Sequence, residues 1–260
     1  MSTRTGAGHN DPYCTLGAAV RPVAAGSTRS AIAADRAPPL GRELEPAFAA
    51  LGERMDRLDP RPEGTISTSF EVALSMFSRS YSNDSEYEHL VDLATGLEAA
   101  LIGSQKSTES VTFRLRSRSA ALLATDADPA GVIFKDVGLL YELRSKLVHG
   151  GRLHEREIAK LMRGISTVHD GEGWLFTLAS SADRLRDLLR RAILARLMLA
   201  DEPEVIWALD EDSGVDAALA DDQLRAKWRK GWHMRLDAIE AGFAAERARP
   251  AVSSISQDDQ

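Results

Sequence analysis

Apolar residues return every three or four positions through most of this chain, the spacing of a helix that buries one stripe and leaves the rest in water. Leu44, Phe48, Leu51, Met55 and Leu58 form one such run, stopped by Pro60 and Pro62. A second run covers 65–81, with Phe70, Leu74 and Phe77 on one stripe. In a third, Leu90, Leu93, Ala94, Leu97 and Leu101 share a face that ends at Gly103; ahead of it, Asn83 and Glu86 have capping-box spacing. A fourth helix over 108–125 points Val111, Leu115 and Leu122 inward and Arg114, Arg116 and Arg118 mostly outward. Asp128 reads as the cap of a fifth, with Pro129 at its first helical position; this helix runs to His149 and stops at Gly150-Gly151.

Beyond it, 154–168 reads as helix and 169–173 as a turn, and Ser180 or Ser181 reads as the cap of a long helix through Leu199. Pro203 opens a short helix in an acidic stretch, and a last amphipathic helix covers 221–247. Trp174 to Leu178 leaves room for a short strand or a buried loop. Strands do not alternate with helices, so a parallel sheet does not fit and an all-α bundle does.

The domain reading follows from composition. Residues 1–40 are rich in Gly, Ala, Pro, Ser and Thr without an apolar period, which predicts a disordered tail. Residues 41–200 form the bundle, 201–249 an acidic linker with the C-terminal helix, and 250–260 a second disordered tail. Cys14 is the only cysteine, so one chain can form neither a disulfide nor a cysteine-built zinc site, and a reducing compartment is expected. No apolar run approaches the ~20 residues of a membrane span, and the first residues lack the apolar core of a signal peptide. The expectation is a cytoplasmic protein with no membrane contact.

The net charge of −7 opposes general attraction to nucleic acid, but its distribution is uneven. From Asp201 to Asp222 there are nine acids and no base, whereas from Lys106 to Arg163 eleven bases face seven acids. Solvated helix faces account for this pattern; a basic middle also fits an anionic ligand.

On the fifth helix, at ~100° per residue, Leu139, Leu140, Leu143 and Leu147 make a core stripe. Tyr141, Arg144, Ser145, Val148 and His149 lie opposite, within an arc of ~140°. Arg144 and His149 thus flank one face of the last turn, with His149 at the negative end of the helix dipole. A guanidinium fits phosphate oxygens, and an imidazole takes and gives protons near neutral pH. Together they can cleave RNA without a metal. The imidazole would act on the ribose 2′-hydroxyl or the leaving 5′-oxygen, and the guanidinium would hold charge building on the phosphoryl group. A symmetric partner would supply the complementary acid or base. Arginine and histidine at a helix end are also ordinary capping residues, and that alternative stays open.

The string from Leu140 to Gly151 resembles the signature of the HEPN superfamily, an arginine and a histidine a few residues apart at the end of a core helix. The nearest branch is the Apea-like HEPN domain. Leu90 to Glu98 and Phe113 to Ala120 agree with it; the resemblance is strongest over 70–151 and extends loosely to Leu199. It implies a HEPN-like bundle, commonly dimeric, and a metal-independent endoribonuclease of toxin–antitoxin, antiviral or RNA-processing systems. Arg144 and His149 would be the catalytic pair and Ser145 would orient them. Ser145 stands where active members often carry Asn, Asp or His. Implied partners are RNA, a second copy and an antitoxin or other protein. Members that lack the chemistry serve as modules binding RNA, a nucleotide or a protein, or as helical scaffolds.

Other candidates are weaker. His149, His154 and Glu155 do not complete a zinc motif, because Ile158 holds the place of its second histidine. The segment around Asp210 lacks EF-hand spacing. Trp228 and Trp232, among Lys227, Arg229 and Lys230, read as packing residues rather than a base-stacking cluster. Glu98 and Glu109 are candidate partners for a nearby arginine. No glycine-rich phosphate loop occurs, so neither metal nor cofactor is expected.

Overall fold

A computed structural model describes residues 53–55, 63–81, 85–103, 110–149, 154–169, 171, 173–200 and 214–247. The expected tails, the 44–58 helix apart from a buried Met55, the Asn83 cap, Glu109, Gly150-Gly151 and the helix at Pro203 lie outside them. The described residues form helices and turns, with no strand among them. In order these helices are α1 (Ser69–Arg79), α2 (Glu86–Leu101), α3 (Val111–Leu123), α4 (Ala130–His149), α5 (Glu155–Met162), α6 (Trp174–Leu199), α7 (Val215–Ala220) and α8 (Asp222–Arg247). The all-α architecture is as the periodicity predicts.

The long helix α6 is the axis, touching α1, α2, α3, α4, α5 and α8. Leu185, Leu188, Leu189 and Ala192 bury its inner face. Gly96 of α2 permits a close crossing: a Cβ there would stand 2.7 Å from Leu189 Cδ2 and 3.0 Å from Met76 Cβ. Trp228 and Trp232 of α8 belong to the same core.

Helix ends leave backbone carbonyls without partners, and here arginines supply many of them. Arg186 Nη2 donates to Ser80 O just past α1 at 3.1 Å. At the end of α2, Arg196 donates to Ala100 O at 3.0 Å and Arg118 to Leu101 O at 2.8 Å. At the end of α3, Arg229 reaches Ala121 O at 2.6 Å and Ala120 O at 2.8 Å, and the Trp232 indole reaches Leu122 O at 3.2 Å. Arg235 donates to Met198 O near the end of α6.

Several local expectations change. Trp174 to Leu178 is neither strand nor loop but the first turn of α6, with Gly173 as N-cap. The run is amphipathic: Leu175 and Phe176 are 71% and 72% exposed, whereas Leu178 is buried. Ser180 and Ser181 are therefore interior to the helix, and the Ser181 hydroxyl donates to Thr177 O at 2.8 Å. The capping-box expectation fails at α2, whose N-cap is Ser85; Glu86 instead meets His89 Nδ1 at 3.1 Å. A reciprocal box does form at α1, where Glu71 N donates to Thr68 Oγ1 and Thr68 N to Glu71 Oε2. Asp128 does not cap α4, which starts at Ala130, because its carboxylate is gripped by Arg184 and Arg191. Helix α5 stops at Met162, and 163–167 are turns and a bend.

Candidate functional site

The position of α4 is set by its first half. Asp136, fully buried, accepts from Arg184 Nε at 2.9 Å and from Ser166 N at 3.0 Å. This ties α4 to α6 and to the turn after α5. Ile133, Val137, Leu140 and Leu143 continue the buried stripe, with Leu139 and Leu147 packed at its edges. The last turn then emerges, and Val148 is 46% exposed with His149 exposed beside it.

The face opposite the leucines is only partly open. Tyr141, Arg144 and Ser145 are half-buried, not exposed as the wheel predicts. The reason is α2, since the Tyr141 hydroxyl donates to Glu98 Oε2 across the helix pair at 2.9 Å. Burial, then the charge of Glu98 and its hydrogen bond, push the Tyr141 phenol up to about 12, with Arg144 acting in the opposite direction. Glu98 therefore has a tyrosine as its partner, rather than the arginine expected of it. The guanidinium of Arg144 lies over the Tyr141 ring, its Cζ 5.6 Å from the centroid.

Arg144 differs from the other arginines of the interior. Arg118, Arg184, Arg186, Arg191, Arg196, Arg229 and Arg235 all donate to carboxylates or carbonyls. Arg144 Nε is buried with no hydrogen-bond partner among the described residues. Arg144 and His149 stand ~7.5 Å apart along the axis, ~140° around it. Between them Lys146 faces Glu142 at 3.9 Å.

Arg118, expected outward, is 2% exposed: its Nε and Nη2 bind the two Asp216 oxygens at 2.6 and 2.9 Å. Its spacing gives the signal, three residues after Leu115 and four before Leu122, both inward. Asp136 likewise falls within the leucine arc of α4. Nothing in the sequence marks the Tyr141–Glu98 contact. Trp228 and Trp232 are buried, so they do not form a stacking surface. Among the described residues no helix is long and apolar enough to cross a membrane, and no cluster of His, Cys, Asp and Glu is placed to hold a metal ion.

Fold and site together define a helical bundle with an arginine–histidine helix end. The chain matches no family model, no curated protein and no solved structure.

Proposed function

We propose that this protein is a metal-independent endoribonuclease of the HEPN type, with Arg144 and His149 as its catalytic pair. The observation carrying this reading is the half-buried Arg144, whose Nε has no hydrogen-bond partner, about 1.4 helical turns before an exposed histidine. A guanidinium engaged in capping would donate to a carbonyl, as so many others here do.

In this reading Arg144, seated on the Tyr141 ring, holds the charge that builds on the scissile phosphoryl group. His149 removes the 2′-hydroxyl proton or protonates the leaving 5′-oxygen. Ser145, between them on the same face, orients the pair. A single imidazole does not fill both proton-transfer roles, so the reading includes a two-fold dimer in which a second copy contributes the complementary histidine. An antitoxin or other protein partner fits the same scheme.

The test is cleavage of single-stranded RNA by the full chain in excess chelator. His149→Ala is expected to reduce the rate about 10²- to 10⁴-fold, and Arg144→Ala about 10²- to 10³-fold, with far-UV circular dichroism unchanged. Cleavage that survives both substitutions, or wild-type protein that binds RNA without cutting it, rejects the nuclease assignment.

A further inference from the structure

We propose that the outward face of α3, centred on Phe113, is a binding surface for single-stranded RNA separate from the Arg144–His149 end. It rests on the nuclease reading only for the identity of the polymer; the surface itself is read from its own residues.

Phe113 is 61% exposed in the first turn of α3. Its ring is held in an edge contact with Phe134 of α4, centroids 6.2 Å apart at 81°. On one side, ~60° around the helix, lies Arg116. Its Nε donates to Phe134 O at 3.1 Å, and its Cζ sits 4.0 Å from the Phe134 ring centroid. The bare backbone of Gly138 makes this possible, since a Cβ there would stand 2.8 Å from Arg116 Nε. Among the described residues no carboxylate forms an ion pair with Arg116, whose half-buried guanidinium is held on this aromatic seat.

On the other side Phe113 walls a cavity of about 470 Å³, also lined by Arg114, Ser117, Arg118 and Asp216. Arg114 and Arg118 both converge on the Asp216 carboxylate, at 3.4 and 2.6 Å. The volume falls within the range of small-molecule sites, roughly 300–1,000 Å³, and suits one splayed nucleotide.

An exposed aromatic ring beside the Arg116 guanidinium, with a polar cavity on its other side, matches a strand whose bases are unstacked. Each base presents a π-face to Phe113 and the backbone phosphate beside it meets Arg116, while Arg114 and Arg118 stay paired with Asp216 in the cavity. A duplex keeps its bases stacked internally and offers no such face. An acidic protein would use the arginines but not the ring. The net charge of −7 disfavours binding by bulk attraction, which places selectivity on this local geometry.

The test uses the full chain carrying His149→Ala, so that RNA is held without being cut, and fluorescence anisotropy with a labelled oligoribonucleotide. Phe113→Leu keeps the apolar bulk and is expected to weaken binding about 5- to 150-fold, whereas Phe113→Trp retains it. Arg116→Gln is expected to lower the slope of log K against log salt by about 0.7. The proposal is overturned if there is no measurable binding, if Phe113→Leu binds like its parent, or if the duplex binds as tightly as the single strand. Equal displacement by poly-glutamate also overturns it and assigns the face to acidic proteins. Phe113-dependent binding without wild-type cleavage removes the nuclease reading and leaves this surface standing. Cleavage with binding indifferent to Phe113 does the reverse.

Discussion

Arg184 connects two carboxylates from different parts of the chain. Its guanidinium meets both Asp128 oxygens, at 2.7 and 2.9 Å, while its Nε serves the fully buried Asp136. Replacing Arg184 with Met leaves both acids without their main partner, and about 3–5 kcal/mol of stability is expected to disappear in urea denaturation. The pH dependence has a definite sign. Burial alone would raise the Asp128 pKa, but hydrogen bonds and charge from Arg184, then Arg191, hold it below its ordinary value of 3.8. For Asp216 the Arg118 hydrogen bond leads, with the Arg118 and Arg114 charges, and lowers the pKa against an opposing burial effect. Both groups therefore contribute stability that is complete above the unfolded value and lost as pH falls through the folded one. Between pH 7 and 3 the urea midpoint of wild type should fall more steeply than that of Asp128→Asn. The expectation that Arg118 points outward fails, although its helical position between inward leucines, like that of Asp136, carries the signal of a buried pair. The partner was not legible. It lies 48 residues away for Asp136 and Arg184 and 98 for Arg118 and Asp216, and only tertiary docking decides it.

Among the elements, α2 and α4 show how glycine placement controls approach. At Gly96 an added methyl meets the Leu189 side chain and the Met76 Cβ, both within the three-helix crossing. Gly96→Ala is expected to destabilise by about 1–3 kcal/mol through overpacking, seen as a lowered thermal midpoint. At Gly138 the nearest atoms belong to the tip of Arg116, so alanine there moves a side chain rather than a helix. The element pattern was widely readable from leucine spacing, as α2 and the long α4 show. It misled at Trp174, where an apolar run directly after the expected 169–173 turn reads as a short strand or a buried loop. A helix whose first turn exposes Leu175 and Phe176 cannot be recognised from hydrophobicity alone. The candidate site divides the same way. The Arg144–His149 spacing was plain on one helix, whereas the depth of Arg144 depends on Glu98 of α2 clamping Tyr141, 43 residues on.

For the whole molecule, one core joins helices far apart in sequence. Trp228 and Trp232 of α8 share it with Leu115 and Leu122 of α3 and with Leu197 and Leu199 of α6. Unfolding followed by tryptophan emission, to which α8 contributes two of the chain's four tryptophans, should therefore coincide with unfolding followed by far-UV circular dichroism. Separate transitions would mean that α8 melts as an independent piece.

The seal that Arg229 and Trp232 place over the last carbonyls of α3 has a consequence for synthesis. A ribosome delivers α3 about a hundred residues before α8, so a nascent chain holds those carbonyls and the slots for two indoles open to solvent throughout that interval. Closure arrives only when residues near 235 clear the exit tunnel, so the bundle, together with the arginine–histidine end it supports, reaches its final form only after α8 has emerged.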